Sequence, residues 1–336
     1  MHMPLISIII PTLNEEKYIA TCIDSILEFQ YKKSLMEVFI VDGMSSDKTR
    51  DIIEKYMKKY SYIKLLDNPD IIVPKALNLA IMQAKGDYIV RLDAHSSFPP
   101  EYLSTLIDNS QKLNADNVGG VVDTKVKNED KKSNSIKRIL SHKFGVGNSD
   151  FRIGTNKVKK VDTVPFGCYR KNVFKKYGLY DERLIRNQDI ELNKRIINGG
   201  GTIYLIPNVV CTYYARENFR DLAKNNYANG FWNILTAYFT KTLTSLSLRH
   251  FVPLIFILSL VLPLMASLLF PPLVWITILS SVSYLTLVII MSFKLREKSN
   301  HFFYLFISFI TLHISYGLGS FMGIFSIINR IVKGLK

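Results

Sequence analysis

The chain has 336 residues, 48% of them hydrophobic, and 43 Lys and Arg against 28 Asp and Glu give a formal charge of +15. That apolar content, with a mean hydropathy of +0.12, excludes a disordered chain, and the length suits a domain with an appendage. Three scattered cysteines, Cys22, Cys168 and Cys211, exclude a disulfide scaffold or a zinc module and read as reduced thiols.

Leu5-Ile-Ser-Ile-Ile-Ile10 is a β-branched run with flanking turn signals, which predicts a buried strand. It has no basic flank and ends in Pro-Thr, so it reads as the first strand of a cytoplasmic domain and not as a signal peptide. Asn14-Glu-Glu16 offers a polar cap and an acidic first turn for a helix running to about Phe29. Glu37 to Val41 predicts the second strand, followed by Asp42-Gly-Met-Ser-Ser-Asp47 and a helix from Lys48 to about Tyr60. Ile63 to Leu66 is a third strand, Pro74 to Ala84 a helix, and Gly86 to Leu92 a fourth strand ending at Asp93. The alternation predicts an α/β fold with a mostly parallel sheet and helices on both faces. Ligands bind such sheets at the carboxyl ends of the strands. There the chain carries Thr12 and Asn14, Asp42, and Asp93 with His95. Neither a Gly-x-Gly-x-x-Gly nor a Gly-Lys-Ser/Thr loop follows the first strand, which counts against dinucleotide oxidoreductases and P-loop NTPases. The lysine-rich stretch Lys125 to Lys143 reads as the most loop-like part of the domain.

The tail differs. Phe219 to Leu248 mixes aromatic and basic residues, which suits either helices at a membrane surface or helices closing the domain. Phe251–Phe270, Leu273–Phe293 and Phe302–Ile328 are charge-free runs of spanning length. Arg249-His250 and Lys294-Leu-Arg-Glu-Lys298 suit cytoplasmic ends. Three full crossings would place Arg330, Lys333 and Lys336 outside, against the same rule, unless the last segment breaks or returns at Gly317, Gly319 and Gly323. The expected organisation is a catalytic domain over 1–218, interfacial helices over 219–250 and a membrane anchor over 251–336.

Asp93-Ala-His95 sets a carboxylate and an imidazole on one turn, a donor pair for Mn²⁺ with Mg²⁺ less suited to the His; the same triplet also reads as a strand-end cap with a surface His. A cation there would neutralise a diphosphate. Asp42 offers acceptors for a base or ribose, and Asp47 reads as the cap of the next helix. Asp189 in Asn187-Gln-Asp189, at a helix start, is either a general base or an N-cap.

Taken in order, these segments resemble the family 2 glycosyltransferases of GT-A fold over residues 4 to 235. Pro11-Thr-Leu-Asn-Glu15 resembles the family's opening nucleotide loop, implying contacts from Pro11, Thr12, Asn14 and Glu15. Val41 to Thr49 resembles its second nucleotide loop, with Asp42 on the uracil and Ser45 beside it. Lys75-Ala-Leu-Asn78 resembles the segment before the metal strand, bringing Lys75 and Asn78 to the donor, and Gly86 to His95 resembles the Asp-x-Asp motif. The resemblance implies nucleotide-sugar contacts from Arg91 and Asp93 and a metal on Asp93 and His95. Phe166-Gly-Cys-Tyr-Arg170 resembles the acceptor loop, which implies Phe166, Gly167 and Cys168 on that side. Gln188-Asp189 resembles the Glu-Asp pair, with Gln188 on the acceptor side and Asp189 as base. Two residues depart from the pattern, His95 for an Asp and Gln188 for a Glu.

Leu92 to Ser96, Phe144-Gly-Val-Gly-Asn-Ser149 and an apolar tail with His313 and Gly317 are similar to the succinoglycan-type branch. That implies transfer of one sugar from a nucleotide-sugar donor, UDP-linked, to a hydroxyl of a polyprenyl-diphosphate-linked saccharide at the cytoplasmic face, with Mn²⁺ or Mg²⁺. The neighbouring alternative is a synthase that transfers the sugar to a lipid phosphate. Asn225 to Trp232 lacks the Arg of the processive motif Gln-x-x-Arg-Trp, which argues against a polymerising synthase. The positive charge fits membrane lipids. An isoelectric point near 9.5 alone does not argue for nucleic acid, because the basic residues are spread and no binding motif accompanies them.

Overall fold

The first apolar run forms β1 (Ile6–Thr12) in the computed structural model, which describes residues 3–241 and 246–334. The chain up to Asp123, together with Asp150–Tyr214, makes one compact unit, and Thr124–Ser149 with the chain from Ala215 makes a second.

In the first unit β1 is followed by α1 (Ile19–Leu27), β2 (Met36–Asp42), α2 (Thr49–Met57), β3 (Ile63–Asp67), α3 (Val73–Gln83), β4 (Tyr88–Arg91), β5 (Ser96–Ser97), α4 (Tyr102–Lys112) and β6 (Asn117–Lys125). The second unit's insert carries α5 (Lys131–Leu140) and α6 (Lys143–Val146). The chain returns through α7 (Asp150–Ile153), β7 (Lys159–Lys160), β8 (Cys168–Arg170), α8 (Asn172–Tyr177), α9 (Gln188–Asn198) and β9 (Ile203–Tyr214). The sheet runs β3-β2-β1-β4-β8-β6-β9-β5, with β7 on β9. Its first four strands are parallel, while β8 joins β4 and β6, and β5 and β7 join β9, in antiparallel fashion.

β1 lies between β2 and β4, which pair both its edges, and helices cover both its faces. Ile6, Ile8 and Ile10 pack with Cys22 and Ile23 of α1 and with Tyr102 and Leu106 of α4. Ile9, one residue out of phase, packs on the opposite face with Leu77 and Ala80 of α3 and Leu192 and Ile196 of α9. Gly86 is required just before β4, since a Cβ there would stand 2.5 Å from the Ser7 backbone nitrogen. The parallel register aligns Thr12 with Asp42 and Asp42 with Asp67, so polar side chains share one rank at the sheet's carboxyl edge.

The helix expected to open at Asn14 begins instead at Ile19, with no acidic residue in its first turn. Asn14 has φ +53° and its side chain serves a neighbouring loop, so it is unavailable as a cap.

In the second unit the lysine-rich stretch expected as loop is largely the helix α5, capped by a reciprocal pair of bonds between Asp130 and Ser133. Its Ile136 and Ile139 pack on Leu305, Phe309 and Leu312, which is why 124–149 associates with the tail and not, as the boundary at 218 implied, with the first unit. The tail comprises α10 (Phe219–Thr240), α11 (Val252–Ala266), α12 (Val274–Lys294) and α13 (Phe302–Val332). Gly230 and Gly319 let α10 and α13 pack backbone to backbone, against Tyr316 and Tyr227. The first candidate span, 251–270, yields only the 15-residue α11, about 22 Å long at ~1.5 Å per residue, with Pro263 inside it. Among the described residues, Pro271–Lys294 and Phe302–Val332 are long and apolar enough to cross a membrane, which suggests membrane anchoring. Residues 242–245 of the expected interfacial segment and the terminal Lys336 lie outside the described residues.

Candidate active site

Two loops at the carboxyl edge are joined by reciprocal hydrogen bonds. The Asn14 amide donates to Ser45 Oγ (2.8 Å), Ser46 N donates to Asn14 Oδ1 (2.9 Å), and Glu15 N donates to Thr49 Oγ1 (2.8 Å). Glu16 N donates to Asp47 Oδ2 and Lys48 N to Glu16 Oε2. Asp47, expected as the helix cap, stands one residue before the actual N-cap Lys48, and its Oδ1 accepts from Thr49 N at the start of α2. Behind these loops Asp42 is fully buried. Its Oδ1 accepts from Ser45 Oγ (2.5 Å), and its Oδ2 accepts from Ser45 N (2.9 Å) and Arg50 (2.8 Å). Arg50 also binds Asp67, so one guanidinium bridges the carboxylates at the ends of β2 and β3. Thr12 O accepts from Gly43 N, and Pro11 stands opposite Val41.

The second cluster centres on Arg91, the last residue of β4. Its Nη2 binds Asp93 Oδ1 at 2.9 Å and its Nη1 binds Asp189 Oδ2 at 3.2 Å. The Arg91 side chain is 13% exposed, and its Nε has no partner among the described residues. Burial alone would lower the guanidinium's pKa, but the Asp93 and Asp189 carboxylates outweigh it and hold it raised. Asp189 lies in the first turn of α9, and its Oδ1 accepts from Ile190 N. Two residues separated by nearly a hundred positions thus meet across one guanidinium. The Cys22 thiol donates to Asp93 O and is pushed up by burial, then by the negative charge of Asp93 and Glu15.

On the other side of Asp93, His95 Nδ1 lies 3.0 Å from Glu15 Oε1. The imidazole meets Tyr213 edge to face at 5.2 Å and Tyr18 at 6.4 Å, and Arg152 stands over the Tyr213 ring. Glu15, Asp93 and Asp189 against Arg91 leave this cluster net negative, which suits a divalent cation. Asp93 and His95 provide mixed oxygen and nitrogen donors of the kind Mn²⁺ accepts. Among the described residues no group of three His, Cys, Asp or Glu forms a metal site.

Other predicted residues lie differently. Lys75 pairs with Asp70 on the surface. Asn78 is buried, donating to Tyr180 O and Glu182 Oε1 and accepting from Tyr180 N, so it fixes the loop before α9. The Phe166 and Cys168 side chains are in the hydrophobic core, while Gly167 O accepts from Arg91 N. Gln188 is buried beside Asp189, and its Oε1 has no partner among the described residues. Arg50 and Arg152 were missed. Only the Arg50 position carried a signal, a basic residue in the first turn of a helix that starts at a strand's carboxyl edge.

Comparison with known proteins places these residues in context. Residues 7–178 match the model described as glycosyl transferase family 2. The chain is 32% identical over 236 residues to a dolichyl N-acetyl-alpha-D-glucosaminyl phosphate 3-beta-D-2,3-diacetamido-2,3-dideoxy-beta-D-glucuronosyltransferase of Methanococcus voltae, covering 68% of this chain and 72% of that one. It is 30% identical over 211 residues to the succinoglycan biosynthesis protein ExoA of Rhizobium meliloti, covering 62% of this chain and 63% of that one. The mannosyltransferase PcManGT of Pyrobaculum calidifontis, solved with GDP-Man and Mn²⁺, is alike in fold with a TM-score of 0.58 at 15% identity, over 94% of this chain and 87% of that one. Staphylococcus aureus TarS 1–349 with UDP-GlcNAc gives 0.51 at 17% identity, over 96% and 92%.

Proposed function

The chain belongs to glycosyl transferase family 2, as a nucleotide-sugar glycosyltransferase of GT-A fold in glycan or polysaccharide synthesis, and we propose an inverting single displacement with Asp189 as its base. The observation that carries this reading is the Arg91 bridge, which holds Asp93 and Asp189 one guanidinium apart at the carboxyl edge of the sheet. An inverting transfer needs a leaving-group site and a base at one anomeric carbon, and two carboxylates drawn to one guanidinium support assigning those two roles to Asp93 and Asp189.

The nucleotide lies on the joined loops, with Asp42 and the Thr12 loop fixing it through groups that the cross-loop bonds already orient. Asp93 and His95 would hold the divalent cation, which when bound would supply positive charge to the departing diphosphate. Asp189 takes the proton of the acceptor hydroxyl. The hydroxyl oxygen forms its bond to the anomeric carbon as the carbon–diphosphate bond breaks, and the diphosphate leaves with the electron pair. Gln188, buried beside Asp189 with an Oε1 that has no partner among the described residues, is assigned to the acceptor side next to the base.

The acceptor proposed is a hydroxyl of a lipid-linked saccharide, the donor is UDP-linked, and transfer occurs at the cytoplasmic membrane face. The apolar helices and the lipid-linked substrate named for the Methanococcus voltae relative support this setting. Incubating membranes that contain the chain with a panel of labelled nucleotide sugars, then extracting lipids, tests it. One sugar should give a labelled lipid-linked saccharide, and Asp189→Asn should lower the rate about 10²–10⁴-fold while nucleotide affinity survives. An Asp189→Asn variant as active as the parent would favour transfer to a lipid phosphate, which needs no proton removed.

A further inference from the structure

We propose that Glu15 is a positioning residue that acts through His95, fixing the imidazole so that Nε2 carries the lone pair for the divalent cation. The inference rests on the assignment of Asp93 and His95 as cation ligands made above.

Glu15 Oε1 lies 3.0 Å from His95 Nδ1, across 80 residues of sequence. A carboxylate only accepts, so in the neutral imidazole the ring nitrogen in that bond carries the proton and the other nitrogen carries the lone pair. The ring is also held sterically. Tyr213 and Tyr18 meet it at 66° and 70°, edge to face, which limits the imidazole to two flipped orientations. The bond to Glu15 selects one of them.

Glu15 is itself held from behind. Its amide donates to Thr49 Oγ1, and the residues on either side bind Ser45, Ser46, Asp47 and Lys48. The backbone that presents the carboxylate therefore does not depend on the bond to His95. Carboxylate–histidine pairs of this kind orient a ligand and raise its basicity, and removing the carboxylate typically costs about 10–100-fold in metal affinity. With His in the second position of the Asp-x-His triplet, the chain needs such a partner. A carboxylate offers lone pairs on both oxygens, whereas an imidazole offers one, on a nitrogen that must be chosen.

The test is Mn²⁺ binding to the full chain in detergent with UDP present, followed by the paramagnetic signal of free Mn²⁺, for the parent, Glu15→Ala, Glu15→Gln and His95→Ala. We expect Glu15→Ala to weaken Mn²⁺ binding about 10–100-fold, and Glu15→Gln, whose amide oxygen still accepts from Nδ1, to weaken it less than Glu15→Ala does. In the metal-free chain, the ¹⁵N signals of His95 should report the Nδ1-protonated tautomer in the parent and a mixture in Glu15→Ala. If His95→Ala weakens Mn²⁺ binding and Glu15→Ala does not, Glu15 is not positioning the ligand. If Glu15→Ala weakens UDP binding equally with and without Mn²⁺, Glu15 is a direct nucleotide contact and the proposal is overturned. Unchanged Mn²⁺ binding in His95→Ala would instead remove the cation assignment on which the proposal stands.

Discussion

Replacing Arg91 with Met keeps most of the aliphatic stem and removes the charge that the two carboxylates share. Asp93 and Asp189, now 2.9 and 3.2 Å from guanidinium nitrogens, would be left without a cation between them. At charge separations near 4 Å and an effective dielectric constant of about 20, each pair has a gross Coulomb energy of about 4 kcal/mol. Much of that is offset by the cost of burying the guanidinium. Removing one side only does not recover this cost for the partners, and breaking a buried pair in this way costs about 3–5 kcal/mol. The Asp93 and Asp189 side chains keep 24% and 28% of their surface in water, which places the loss near the lower end, about 3 kcal/mol. For a folding unit of about 150–250 residues, at ~2–4 °C per kcal/mol, that is a fall in Tm of about 6–12 °C. Scanning calorimetry of the metal-free chain in detergent measures it. Adding Asp93→Asn to Arg91→Met should recover part of the loss, because one uncompensated charge disappears. A Tm within about 1 °C of the parent, or strictly additive effects in the double variant, would refute the clamp.

Arg50→Met leaves the fully buried Asp42 without its cation, and should cost about 3 kcal/mol in the same calorimetric assay and weaken UDP binding measured by titration. Glu37 gives a pH dependence whose sign follows from its partners. Burial would raise its pKa, but bonds from Lys85 N, Ser7 Oγ and Lys64 outweigh this and hold it below the ordinary value. A lowered folded pKa contributes stability that is complete above the unfolded pKa of about 4.3 and is lost as pH falls through the folded value. The stability difference between the parent and Glu37→Gln should therefore be constant from pH 7 to about 5.5 and shrink below about pH 4.3. A difference that grows on acidification would contradict the assignment.

The parallel half of the fold was legible in the sequence because each strand carries an apolar run and each turn carries a polar or glycine signal. Four predicted strands correspond to β1 to β4 within two residues at each end. The antiparallel half was not legible, since β5, β7 and β8 have two or three residues and no periodicity to read. Asn14 shows why a cap signal failed: its side chain forms a bond to Ser46, 32 positions away, in place of a local one. Asp93, His95 and Asp189 were readable as chemistry-bearing types at element ends. Their union through Arg91 and Glu15 was not, because residue type and local spacing carry no information about which side chains meet. The Phe251–Phe270 run shows the opposite limit, where hydropathy continued through a stretch that Ser267 to Pro272 end as a helix.

The most direct test of the displacement is the configuration of the new glycosidic bond. The product formed from the donor that proves active can be isolated from the lipid extract, and its anomeric coupling constant read by nuclear magnetic resonance. Asp93 and Asp189 acting on opposite faces of one anomeric carbon predict a product of inverted configuration relative to the nucleotide sugar. A product that retains the donor's configuration would contradict that arrangement.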